Sequence, residues 1–260
     1  MKQWLVIPGS KEISQWEQLA EEYHLGYEYN EFFHPELLEN PEKAIACIKD
    51  YKERRLPEIT GLHGAFYDVL PTSADCQVRQ TGRLRISQSI DYAKKIGAKW
   101  VVFHTNYNPF LNNKEYVKQW IADNIQYWES VLKQHPDIHI YLENMFDTSP
   151  DIMEELARNL CKYENFGICF DYAHAVLSKT DVRVWVEKLG KYIKHIHIND
   201  NDLISDLHQA WGAGSINRQN FYDLYGNYIK EATILIETSS LQDAKASIET
   251  FIKDGFWLVR

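Results

Sequence analysis

Eight short apolar segments, each followed by a stretch with helical periodicity, constrain this chain more than any other feature. The segments end near residues 7, 29, 63, 104, 143, 171, 197 and 237. They are rich in Val, Ile, Tyr and Phe, and most have no polar face, as strands covered on both sides require. Between them, apolar residues recur at helical spacing: Ile13, Trp16, Leu19 and Ala20 in the first interval, Ala44, Ile45 and Ile48 in the second. Punctuation agrees, with Asn40 placed to cap a helix that opens at Pro41, Gly97 to stop one, Pro136 just beyond another, and Ser149-Pro150 and Asp181 to start two more. The second strand is expected over 25–32, and helices over 10–23, 80–96, 114–134, 218–230 and 241–253. Alternating β and α units predict a parallel sheet, and eight of them predict closure into a single (β/α)8 TIM barrel. A doubly wound sheet is the alternative. No linker or compositional break divides the chain, so residues 1–260 read as one TIM-barrel domain.

Six of the eight strand ends carry a side chain that binds metals well: His63, His104, Glu143, Asp171, His197 and Glu237. In a barrel all these ends open on one face. Any one of them has an ordinary explanation, such as a hydrogen-bonded core histidine or a glutamate capping a helix. Six ionisable groups at one rim are costly unless they pair or bind cations. Three more join them. His174 follows Asp171 by three residues, and the loop after His197 returns Asp206 and His208 ahead of a Gly212-x-Gly214 turn. Imidazole nitrogen and carboxylate oxygen suit Zn, Mn or Fe. Five histidines and four carboxylates exceed what one ion takes and suit two or three ions with bridging carboxylates.

With these nine residues in view, the chain resembles the xylose isomerase-like TIM-barrel superfamily, also called AP endonuclease family 2, over nearly its whole length. The trinuclear zinc site of endonuclease IV uses the same nine residue types in the same order, and His197-Ile-Asn-Asp200 and Gly212-x-Gly214-x-Ile216 also match. The segments LHGAFYDVLPTSAD and KWVVFHT look most like the branch labelled sugar phosphate isomerase/epimerase. That resemblance implies isomerisation or epimerisation of a small sugar or sugar phosphate. One ion would be held by Glu143, Asp171, His197 and Glu237, with Glu143 and Glu237 as acid and base. The alternative is phosphoester hydrolysis on a small phosphate ester or, less readily, abasic DNA, with all nine residues holding two or three ions; across both readings one to three ions are expected, Zn or Mn first and Fe next. A metal-dependent binding barrel without turnover is the third reading.

DNA fits poorly. The net charge is −9, the first strand reads VIPGS where the endonucleases carry a Gly-x-His-x-Ser loop, and no basic run lies in the rim loops. Arg79, Arg83 and Arg85 read as a solvated helix face. Phe66, Tyr67, Tyr107, Phe146 and Trp211 follow strand ends and could wall a sugar site. The partner expected is therefore a small carbohydrate or phosphate ester, not nucleic acid or membrane. The N-terminal apolar run is too short for a signal peptide, and no stretch approaches a membrane span. The four cysteines lack C-x-x-C spacing and read as buried free thiols of a cytoplasmic protein. Eight Trp and sixteen Tyr leave room for a homo-oligomer interface.

Overall fold

The computed structural model describes residues 3–257. Eight parallel strands close in sequence order, β1 (Trp4–Val6), β2 (Gly26–Tyr29), β3 (Thr60–His63), β4 (Trp100–His104), β5 (His139–Glu143), β6 (Phe166–Asp171), β7 (Ile193–Ile198) and β8 (Thr233–Ile236). β8 pairs back to β1, Trp4 opposite Ile234, so no edge is left open. The helices are α1 (Ile13–Tyr23), α2 (Pro35–Glu39), α3 (Pro41–Lys52), α4 (Cys76–Ile96), α5 (Lys114–Gln134), α6 (Asp151–Leu160), α7 (Tyr172–Leu177), α8 (Val182–Leu189), α9 (Arg218–Leu224) and α10 (Leu241–Lys253). None is long and apolar enough to cross a membrane.

Strand periodicity divides the core in two. Odd and even residues of a strand face opposite sides. Val6, Tyr27, Leu62, Val101, Phe103, Ile140, Leu142, Ile168, Phe170, Ile196 and Ile234 face outward and pack with the helices. Leu5, Trp100, Val102, Tyr141, Cys169 and Leu235 point inward and fill the barrel. The inward set continues upward, residue by second residue, into the strand-end ionisable groups: Val102 to His104, Tyr141 to Glu143, Cys169 to Asp171, Leu235 to Glu237. The interior is thus ionisable at the top and mostly apolar below, where Glu28 and His195 are the exceptions. Burying each large apolar side chain contributes roughly 1.5–3 kcal/mol, which offsets the cost of holding that polar layer dry.

Several local expectations need correction. The second strand ends at Tyr29, because residues 30–34 turn into the short α2, whose first position is Pro35. Asn40 stands at the N-cap position of α3 but its side chain makes no capping bond there: its Nδ2 donates back to the Glu36 carbonyl, 2.7 Å, at the end of α2. The helix near 218 changes to a π-turn over Tyr225–Ile229. All four cysteines are free, but only Cys169 is buried; Cys76 and Cys161 are exposed. Arg83 is exposed and Arg79 and Arg85 are half-buried, so the face they form is only partly solvated. They donate to the carbonyls of Ser73, Pro71 and Leu38 and tie down the segments around α4.

Candidate metal centre

All nine residues singled out from the sequence meet at the C-terminal mouth, eight of them in three groups with Glu237 beside them. Within each, one donor atom per residue lies within 4.8 Å of the others. The first is His63, His104 and Glu143, from the ends of β3, β4 and β5. Both imidazole Nε2 atoms face the same oxygen, Glu143 Oε2, at 3.3 and 3.4 Å. The second is Glu143, Asp171 and His197. Here His197 Nδ1 lies 3.3 Å from Glu143 Oε1 and 3.6 Å from Glu237 Oε1. The third is His174, Asp206 and His208, with Asp206 Oδ2 between the two Nε2 atoms at 3.2 and 3.1 Å. Glu143 belongs to two groups through its two oxygens. Glu237 reaches toward the third, 3.6 Å from His208 Nδ1. The three groups therefore form one continuous cluster.

Local structure explains how each side chain arrives. Asp171 ends β6 and at once caps α7, its Oδ1 accepting the His174 N–H at 2.6 Å. That single turn of helix swings His174 back over the mouth. Asn144, next to Glu143, is doubly bonded to the Asp171 backbone, 2.9 Å each way, and so fixes β5 against β6 at the rim. The loop carrying Asp206 and His208 is built on Asp200. This buried carboxylate accepts the N–H groups of Asn201, Gly212 and Ile216 at 2.9–3.0 Å, while its backbone pairs with Gln209. Gly214 is needed because a Cβ there would come within 2.4 Å of the Asn201 carbonyl. Asp200 in the Asn-Asp motif is therefore the organiser of the loop.

The electrostatics describe a site short of positive charge. Glu143, Asp171 and His197 are essentially sealed from solvent, and Glu237 is 6% exposed. Burial pushes the Asp171 carboxyl above the usual range; His174 opposes this, and Glu237 and Glu143 add to it. Burial lowers His104, while neighbouring carboxylates outweigh burial at His63, His174, His197 and His208 and raise them. Glu237 drives His208 up to about 10, against the effect of burial. Burial would lower His197, but Cys169, Glu143, Glu237 and Glu28 together raise it well above the ordinary value. Protons here occupy positions where a cation would serve the same carboxylates. Two buried atoms, Asp171 Oδ2 and His197 Nδ1, have no hydrogen-bond partner. A buried N/O donor set with orphaned lone pairs fits a divalent ion of the Zn, Mn or Fe kind.

Beside the cluster lies a cavity of 830 Å³, with His104, His174 and Asp206 on its inner edge. Phe66, Tyr67, Tyr107 and Phe146 line it as expected, and Phe110 adds a wall. Trp211 does not; it is 1% exposed and packs behind the loop on Phe251. Among the described residues no lysine or arginine lines this cavity.

Sequence reasoning missed two residues that lie just below the cluster. Glu28 of β2 and His195 of β7 are fully buried in the barrel interior. His195 stands two residues before His197, hence on the same strand face, and Glu28 is an acid inside a strand covered on both sides. Both signals were available in the sequence.

A model of the xylose isomerase-like TIM barrel family matches residues 18–253. The chain belongs to that family. It is similar to a protein of Methanocaldococcus jannaschii called uncharacterized protein MJ1311, 29% identical over 218 residues that span 80% of this chain and 73% of the relative. Among solved structures of the fold, the TTHB071 protein from Thermus thermophilus, soaked with zinc chloride, superposes with a TM-score of 0.78 at 22% identity, covering 97% of both chains. A D-tagatose 3-epimerase-like protein superposes with a TM-score of 0.77 at 25% identity, over 97% of this chain and 96% of that one.

Proposed function

We propose that this chain is a divalent-metal-dependent enzyme that isomerises or epimerises a small sugar or sugar derivative. Family membership and the epimerase-like neighbour support the reaction class. The observation that carries the reading is the placing of two glutamates. Glu143 and Glu237 come from strands three places apart and both turn a carboxylate oxygen to His197 Nδ1. In this reading Glu143, Asp171, His197 and Glu237 hold one ion. When bound, such an ion polarises a carbonyl or hydroxyl and acidifies the adjacent C–H. One glutamate then removes the proton from carbon and the other returns one to the opposite face, which inverts that centre. His63, His104, His174, Asp206 and His208 contact substrate hydroxyls. The aromatic walls of the cavity meet the apolar C–H face of the sugar and exclude water.

A second reading is hydrolysis of a small phosphate ester by two or three ions. The three groups favour it, since each offers a complete set of donors within 4.8 Å. Two measurements separate the readings: metal content per chain after purification without chelator, and transfer of solvent deuterium to carbon in a panel of ketoses. One equivalent, with deuterium incorporation that Glu143→Gln abolishes, supports isomerisation. Two or three equivalents, with no exchange at carbon and loss of metal in His63→Ala/His104→Ala, support hydrolysis. No metal after reconstitution refutes both.

A further inference from the structure

Glu28 is fully buried, yet it is none of the nine residues, and a buried carboxylate is costly unless it is paired. Its surroundings define its direction. Trp100 Nε1 donates to Glu28 Oε2 at 2.8 Å, and an indole N–H can only donate. His195 Nε2 lies 3.1 Å from the same oxygen, and His195 Nδ1 lies 2.5 Å from the Thr233 hydroxyl. The other oxygen, Oε1, lies 3.0 Å from His197 Nε2. Neither imidazole contact meets hydrogen-bond geometry, and Glu28 Oε1, His195 Nε2 and His197 Nε2 have no hydrogen-bond partner. A 3.0 Å approach of a carboxylate oxygen to a bare nitrogen lone pair would be repulsive, so the proton belongs on Nε2, beside the Glu28 carboxylate, although the N–H is not aimed along the contact.

A neutral imidazole carries one N–H and one lone pair. If Nε2 keeps the proton for Glu28, the lone pair is on Nδ1, which faces Glu143 and Glu237. We infer that Glu28 is a positioning residue that holds His197 as the Nε2–H tautomer and thereby presents Nδ1 as a metal donor. The inference rests on the reading of this cluster as a divalent-metal site and not on which reaction the site performs. Two other histidines are backed differently. His63 Nδ1 meets the Gly64 carbonyl at 3.0 Å, and His174 Nδ1 meets the Asn144 carbonyl at 2.8 Å. Both are neutral acceptors. His197 alone among these three is backed by a carboxylate, which makes its ring the stronger donor. The barrel makes room for this device at Gly61, where a Cβ would lie 2.2 Å from the Trp100 indole.

Glu28→Gln keeps the shape of the side chain and reverses the logic. The amide oxygen remains with Trp100, so the NH2 group faces His197 Nε2. That nitrogen must then accept, and the proton moves to Nδ1, where it blocks the ion. The test uses the full chain and zinc: affinity by competition with a chromophoric chelator, and 15N-histidine NMR of the zinc-loaded protein. Wild type should show His197 bound through Nδ1 with the proton on Nε2. Glu28→Gln should bind zinc about 10–100-fold more weakly, as removal of a partner behind a ligand does. Trp100→Phe removes a donor but leaves the Glu28–His197 pair, so it should lose less than about tenfold and keep the tautomer. Equal zinc affinity of wild type and Glu28→Gln overturns the inference. So does His197 bound through Nε2, a readout on wild type that stands even where Glu28→Gln fails to fold. Equal losses in Trp100→Phe and Glu28→Gln assign the effect to interior packing and overturn it too. Wild-type protein that takes up no zinc, manganese or iron overturns the metal-site reading itself.

Discussion

Asp147→Asn should stabilise this protein at neutral pH, although it removes a charge in a chain rich in acids. Asp147 follows β5, lines the mouth cavity and is 4% exposed. Its Oδ2 accepts from the Thr105 hydroxyl at 2.7 Å and from the Met145 N–H at 3.3 Å, while Oδ1 is buried with no partner. Burial pushes the carboxyl up from its ordinary 3.8 to about 6, against the opposing effect of those hydrogen bonds and of His174. The folded state therefore binds the proton more tightly than the unfolded one. Stability from this group is complete below the unfolded value of 3.8 and is lost as pH rises through about 6. The loss by pH 8 is about 3 kcal/mol. Asparagine keeps the accepting oxygen for Thr105 and Met145 and puts an uncharged NH2 where the orphaned oxygen stood. That NH2 lacks an acceptor and returns about 1 kcal/mol of the gain. The expected net gain at pH 8 is about 2 kcal/mol, or roughly 4–8 °C in melting temperature for a chain of this size. At pH 4 the two proteins should unfold at nearly the same urea concentration. Urea titrations of chelator-treated wild type and variant at both pH values provide the assay. A variant that is no more stable than wild type at pH 8, or whose advantage is the same at pH 4, refutes the reasoning.

Two further substitutions test the scaffold. Asp200→Ala leaves the N–H groups of Asn201, Gly212 and Ile216 without their acceptor, at a cost of about 2–4 kcal/mol, and should loosen the Asp206–His208 loop. Thermal melts should show the loss, and zinc titration should show weaker uptake. Gly61→Ala forces a methyl group against Trp100 and should cost about 1–3 kcal/mol. In a double-mutant cycle Trp100→Phe should recover part of that cost; purely additive effects would mean the two positions do not touch.

Much of the site was legible because six of the eight strands end on or next to a single ionisable residue after an apolar run. A parallel strand buried on both faces places such residues mostly at its rim, with Glu28 and His195 the exceptions, so the ends could be read within a residue or two. Closure of the barrel then brought six distant positions to one face. What escaped notice had specific causes. Glu28 was hidden in Tyr-Glu-Tyr, which reads as an ordinary alternating strand until the strand is known to be covered on both sides. His195 was eclipsed by His197, though period two puts them on one face. The turn formed by α7 is too short to announce itself by periodicity; only the Asp171 cap explains why His174 returns to the mouth. Asn40 satisfied the composition of a cap and still served the preceding helix, because two helices adjoin there.

The cluster is unevenly mounted. Six of its residues are fixed by the hydrogen-bonded wall of the barrel and His174 by a helix turn locked to it. Asp206 and His208 ride on a loop, with side chains 28% and 35% exposed. That loop keeps its shape through Asp200, Asn201 and Asp202, which accept its backbone N–H groups, and one bridge to Gln209, and not through the strand ladder. The donor count at the mouth can therefore be changed by editing a single loop that the barrel does not need in order to close. Relatives built on the same wall are free to differ in the side chains this loop brings to the mouth without moving a strand.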